Sequence, residues 1–316
     1  MSIVDKITSS PSTAFSFELL PPLKGDGIAS VFKTIDLLRE FDPKYINITT
    51  HRSEVVFKQN EQGLFEQIDV RRRPGTVAIA AAIKSKYKIP VVPHVICSGF
   101  TKEEIEYELI DLQFLGITDL LLLRGDKAKH EKEFVSTGHL HATDLQQQVN
   151  NFNKGIFLDG SKMKTPPAEP FSYGMAAYPE RHEESPNAES DLYYTKMKVE
   201  GGAEYLVTQM FFDNRKYYDF VEKCRNMGIT VPIIPGIKPI TLMNQLTVLP
   251  KIFHTEIPEE FAAELRKCKT DAEATEVGVE WCTKQAADLK AHGVASIHFY
   301  SLMAAQSVKR VAKAVF

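Results

Sequence analysis

Short apolar runs alternate along the chain with longer stretches whose apolar positions recur at helical spacing. The first run, Ala14 to Leu19, is followed by residues 28–41, where Val31, Ile35, Leu38 and Phe41 fall on one helical face. Further runs at 45–49, 90–95, 118–123, 171–176, 204–209, 232–235 and 296–300 read as strands. The segments 75–86, 101–116, 142–154, 187–201, 214–227, 241–249, 258–267, 271–292 and 304–315 read as helices. Thr101 ahead of Glu103 and Glu104 supplies a cap and an acidic first turn for one of them. Strands alternating with helices predict a parallel sheet, either open and doubly wound or closed into a barrel. The strand count reaches eight and no G-x-G-x-x-G turn follows the first strand, so the expectation is an α/β fold, a (βα)8 TIM barrel. A single domain is expected over residues 1–316, with 155–170 as a surface loop insertion carrying Lys162, Lys164, Pro166 and Pro167.

Composition narrows the class without naming a chemistry. Hydrophobic residues make up 43% and charged residues 25%, ordinary values for a globular enzyme with a large core. A net charge of −3 gives no general attraction to nucleic acid or anionic lipid. No apolar run approaches bilayer length, and residues 1–12 lack an apolar signal core, so a cytoplasmic protein is expected. The four cysteines are scattered and read as reduced thiols. His130, His139, His141 and His182 show no metal spacing, and no metal site is expected. Arg71, Arg72 and Arg73 read as a solvated loop, with a phosphate contact as the alternative.

Barrel enzymes place their chemistry where strands end. That filter selects Glu18, Thr49, His94, Arg124, Gly125, Asp126, Tyr178, Gln209 and Tyr300. Glu18 lies inside an apolar run ended by Pro21 and Pro22. A carboxyl desolvated there is suited to donate a proton near neutral pH, although a structural ion pair would leave the same trace. Arg124-Gly125-Asp126 combines a forked anion donor, a backbone open to close approach and a carboxylate, or else simply seals a turn. His94 alone reads as a hydrogen-bonded core residue. Ala176 and Ala177 leave room for a flat ligand beside Tyr178. Asp191, Tyr194 and Lys198 share one side of a helix and could grip hydroxyls and a pyrophosphate, or form ordinary polar surface. Gln209 can donate and accept at once, as the edge of a pterin or a carboxamide requires.

Phe15-Ser16-Phe17-Glu18 with Pro21-Pro22, Pro93-His94, Leu123 to Asp126, Ala177 to Glu180, Thr208 to Asp213, Ile234 to Ile237 and His298-Phe299-Tyr300 together resemble the methylenetetrahydrofolate reductase family, in the family's order. The length resembles the bacterial catalytic form. The resemblance implies a barrel holding FAD and a ping-pong reaction, in which NADH or NADPH and then 5,10-methylenetetrahydrofolate use one site. It implies Glu18 as the general acid and Asp126 as the carboxylate that tunes flavin and folate. It places Thr49, His94, Arg124, Gly125, His141, Ala142, Tyr178, His182, Asp191, Tyr194 and Lys198 at the cofactor. Gln209, Gln245 and Tyr300 fall at the substrate, and a homo-oligomer is implied. The chain departs from the family at Leu249, Met303, Ala304, His141 and Met197. The stretches 58–73 and 155–170 have no counterpart in the family pattern. Two alternatives remain beside this reading: a flavin barrel enzyme that oxidises an amine, and a barrel that binds folate or flavin without catalysis.

Overall fold

The strands that read as unbroken apolar runs do so because both of their faces are covered. The computed structural model describes residues 2–127, 131, 134–302 and 304–316; His130 and Met303, singled out above, lie outside them. Eleven strands occur among the described residues: Ala14–Leu19 (β1), Tyr45–Ile48 (β2), Glu54–Gln59 (β3), Phe65–Val70 (β4), Val91–Ile96 (β5), Asp119–Leu123 (β6), Ser172–Ala177 (β7), Tyr205–Thr208 (β8), Ile233–Ile234 (β9), Gly236–Ile237 (β10) and Ser296–Phe299 (β11). All except β3 and β4 form one parallel sheet, in the order β10-β11-β1-β2-β5-β6-β7-β8-β9. The two ends of that order, β9 and β10, are halves of one stretch interrupted at Pro235, so the sheet is a TIM barrel of eight staves. The seventh stave thus runs two residues past the expected 232–235.

Alternation sorts the strand residues into two environments. Phe15, Phe17, Ile46, Ile48, Val95, Leu122 and Phe299 face outward into the layer of helices. Ala14, Tyr45, Val92, Leu121, Tyr205, Val207 and Ile234 form a separate cluster, the filling of the barrel. Gly174 is required there: a Cβ would lie 2.3 Å from the ring of its neighbour Tyr205, whose hydroxyl donates to the Leu120 carbonyl at 3.0 Å.

Three segments differ from expectation. The polar N-terminus contains a helix, Ile3–Thr8, capped by Ser2 and Asp5. Ile3 and Ile7 join the barrel filling, and the Ile3 N–H donates to the Asp119 carboxylate at 3.0 Å, so this helix plugs the floor. Residues 58–73 belong in large part to an antiparallel hairpin of β3 and β4. Its strand periodicity is blurred because apolar and polar side chains alike are exposed on it, Phe57 and Phe65 among them. The helix expected at 241–249 runs Gln245–Phe253 instead, because the Gln245 side-chain oxygen accepts the N–H groups of Thr241 and Leu242 and makes a turn of the residues before it. Residues 155–170 run along the surface, pinned by a bridge between Ile156 and Lys162. No described helix is long and apolar enough to cross a membrane.

Candidate active site

Glu18 is the last inward-facing residue of β1, and its position decides the character of the rim. The register continues from Phe17 opposite Phe299 and Ile237 opposite Phe299, so Glu18, Tyr300 and Lys238 occupy one row across three adjacent staves. Asn47 extends that row on β2, directly opposite Glu18. Glu18 is 5% exposed, and no described side chain hydrogen-bonds its carboxylate. Burial pushes the carboxyl up to about 8, with the Lys238 ammonium pulling the other way. At neutral pH it therefore holds a proton, which is what a general acid must do.

The Tyr300 ring crosses the seventh stave. Its hydroxyl donates to the Thr208 carbonyl at 2.5 Å, and a Cβ on Gly236 would stand 2.5 Å from the ring. One row deeper lie Tyr45, Ser16 and His298. His298 stacks on Tyr45 and shares a 3.0 Å hydrogen bond between its Nδ1 and the Ser16 hydroxyl. Burial holds His298 down to about 3 and His94 likewise, so both imidazoles are neutral at neutral pH. Asn47, the Nε2 atoms of both histidines and the Tyr45 hydroxyl find no hydrogen-bond partner among the described residues. Unpartnered polar atoms thus lie beside Glu18 and one row beneath it, and the His94 Nε2 lacks the hydrogen bond expected of a core histidine.

The second group gathers at the ends of β6 and β7. Arg124 donates to both carboxylate oxygens of Glu184, at 2.5 and 2.9 Å, and lies over the Phe134 ring. Gly125 has φ +81°, and a Cβ there would press on Ser98 at 3.0 Å. Asp126 is exposed at the mouth, its backbone carbonyl held by the Ser98 hydroxyl. Tyr178 meets His182 edge to face, and Lys198 lies near its ring while donating to the Ala176 carbonyl at 2.8 Å. Burial lowers the Lys198 amine to about 8, against the pull of Asp191. Buried Asp191 accepts from the Ser185 hydroxyl and the His182 N–H. The two groups share a field, because Tyr300 is influenced by Glu18 and Tyr178, and Tyr178 by Asp126, Asp191 and Arg124.

Other expected residues stand at the margin. Thr49 donates to the Leu19 carbonyl and contacts His51, at the end of β2. His141 is exposed and precedes the helix Ala142–Asn153, which begins at Ala142. Tyr194 is half exposed against Tyr193, apart from the buried Asp191 and half-buried Lys198 of the same helix. Gln209 caps its own chain by accepting from the Met210 N–H, and the Gln245 oxygen is engaged in the turn described above. The arginine run spreads out: Arg72 pairs with Glu54, and Arg73 donates to the Pro21 carbonyl. Leu249 is buried in a satellite apolar cluster. The four cysteines are free and buried. Among the described residues no three His, Cys, Asp or Glu side chains cluster as metal ligands. Lys238 was missed because the seventh strand appeared to end at Pro235; reading that strand to Ile237 exposes Lys238 as a strand-end residue.

Comparison with known proteins agrees with this architecture. Two solved structures share the fold at low identity: an uncharacterised Clostridium thermocellum protein described as binding two copies of 5-methyl-5,6,7,8-tetrahydrofolic acid (TM-score 0.56, 16% identity, 99% of this chain and 98% of that one), and tryptophan synthase from M. tuberculosis (TM-score 0.52, 10% identity, 100% and 99%). By sequence, methylenetetrahydrofolate reductase (NADH) 1 of Arabidopsis thaliana is 31% identical over 96% of this chain and 48% of its own length. The probable NADPH enzyme of Caenorhabditis elegans is 26% identical over 99% and 43%. This chain therefore spans about half the length of those relatives. The 5,10-methylenetetrahydrofolate reductase of Escherichia coli is 28% identical over 92% of this chain and 86% of its own. The sequence model of one family matches residues 3–315, nearly the whole barrel with its floor helix and its rim, and on that match the chain belongs to the methylenetetrahydrofolate reductase family.

Proposed function

We propose that the chain reduces 5,10-methylenetetrahydrofolate to 5-methyltetrahydrofolate, with FAD as hydride carrier and NADH or NADPH as donor in a ping-pong cycle. The observation that carries this reading is the buried Glu18 at the barrel rim, where no described side chain hydrogen-bonds its carboxyl and burial favours its protonated form. Reduction of the substrate requires its five-membered ring to open. Glu18 delivers a proton to N10, the C–N10 bond breaks with its electron pair on N10, and an iminium forms at N5. The carboxylate left on Glu18 lies near Lys238, and Asp126 supplies negative charge at the mouth, where the cation forms.

The donors and acceptors at the ends of β6 and β7 fit a flavin dinucleotide. Arg124 and Lys198 are cations suited to a pyrophosphate, buried Asp191 is an acceptor suited to ribityl hydroxyls, and the positive φ of Gly125 belongs to a backbone open to close approach. When bound, the flavin supplies hydride transfer. Thr49, His94, His141, Ala142, Tyr178, His182 and Tyr194 border that region in this reading. Gln209, Gln245 and Tyr300 border the slot shared by nicotinamide and folate, with the Gln245 oxygen already engaged in its turn.

The test is an absorption spectrum of the purified protein followed by anaerobic addition of each nicotinamide and then of methylenetetrahydrofolate. A yellow protein bleached by one donor and recoloured by the folate is expected. Colourless protein that takes up no flavin, or bleached protein that the folate leaves bleached, overturns the reading.

A further inference from the structure

Lys238 is an anomaly of burial. It is 5% exposed, yet no described group hydrogen-bonds or ion-pairs with its ammonium within 4.0 Å. A lysine packed this closely, with no partner within ion-pair distance, is sensitive to any charge that shares its lumen. The row containing it names that charge: Lys238 follows β10, Tyr300 follows β11, and Glu18 ends the inward face of β1. Tyr300 stands between them but turns its hydroxyl away to the Thr208 carbonyl, so it does not screen the pair by hydrogen bonding to either. Other groups facing them are Tyr45 and Tyr178, which share the field of Tyr300, the neutral His298 one row deeper, the neutral His94 on β5, and Cys282 on the helix Asp271–Ala291 behind Lys238.

We propose that Lys238 is a positioning residue for the acid of this site: its ammonium, one stave beyond Tyr300, stabilises the carboxylate that Glu18 becomes on giving up its proton. This rests on the proposed function for its consequence but not for its physical content. Burial raises the Glu18 carboxyl and lowers the Lys238 amine, while each pulls the other back towards its charged form. Each charge therefore favours the other. Proton donation creates a negative charge at a carboxyl that is 5% exposed, and the ammonium in the same row compensates it. Lysine here makes Glu18 a stronger acid than burial alone would leave it.

The experiment follows the infrared carbonyl band of protonated Glu18, identified by its loss in Glu18→Gln, through a pH titration of wild type, Lys238→Met and Lys238→Arg. In Lys238→Met the midpoint should move up by about one pH unit or more. Lys238→Arg should hold it near the wild-type value. The folate half-reaction at neutral pH should slow roughly tenfold in Lys238→Met, its alkaline limb shifting with the band, while flavin reduction by the nicotinamide stays within about twofold. Lys238→Gln serves the same comparison if the methionine variant folds poorly. An unmoved Glu18 band in both neutral variants, or equal losses in the two half-reactions, overturns the role given to Lys238. Wild-type protein that reduces no methylenetetrahydrofolate but shows the band shift overturns the proposed function and leaves the pairing standing.

Discussion

Arg124 and Glu184 close on each other at the barrel mouth in a forked ion pair, with nitrogen–oxygen distances of 2.5 and 2.9 Å. A guanidinium so engaged must exchange one anion for another when a phosphate arrives. Glu184→Gln removes the competing charge and leaves Arg124 in place over Phe134. The expected outcome is FAD bound several-fold tighter, on the order of threefold to tenfold, in a fluorescence titration of apoprotein. Weaker binding would mean that Glu184 holds the arginine in its productive pose.

Glu18→Gln keeps the shape of the side chain and removes its acid. Flavin reduction by the nicotinamide should be nearly unchanged, while folate reduction falls by roughly 10²- to 10⁴-fold, the range that a positioned general acid supplies. Stopped-flow measurement of the two half-reactions decides this. An equal fall in both would assign Glu18 to binding or to structure instead.

The same substitution has a stability signature that needs no substrate. The folded carboxyl is raised to about 8 from its ordinary 4.5, so the unfolded chain ionises first as pH rises. The favourable contribution of the buried neutral acid is complete below 4.5 and is lost progressively up to about 8. Glu18→Gln does not suffer that loss, so the variant should gain on wild type across this window by an amount on the order of several kcal/mol. Denaturant midpoints at acid and mildly alkaline pH measure it, and a gap that does not change with pH would contradict the burial of the charge.

Gly236→Ala tests the rim mechanically. The added methyl would meet the Thr208 carbonyl and the Tyr300 ring, each at 2.5 Å, and one of these is backbone. Tyr300 must tilt and its hydroxyl must leave Thr208. A loss of about 2 kcal/mol or more is expected, together with slowed folate reduction. A crystal structure of the variant with Tyr300 unmoved would refute the account.

The barrel itself was legible because each stave is buried on both sides and leaves an unbroken apolar run, and because Thr101 and Asn187 announce helix starts. Glu18 was legible for the same reason, as a charge interrupting such a run. Lys238 was not, since Pro235 looks like the end of a strand that in fact resumes at Gly236. The hairpin escaped notice because exposed strands lose the alternation that a buried face imposes. The floor helix escaped because six residues are too few to show a period, and only Ile3 and Ile7 mark its buried side. The Arg124–Glu184 contact joins residues 60 positions apart and depends on the path of a loop that no local pattern encodes.

The pairing of β1 with β11 carries a consequence for biogenesis. Residues 14–17 find their partners at 296–299, almost the full chain away. On a ribosome the first stave must wait, one edge open, until nearly every other stave has been made. Until then Glu18 stands in water with an ordinary carboxylate's affinity for protons, so the nascent polypeptide lacks its acid and acquires it in the event that seals the ring.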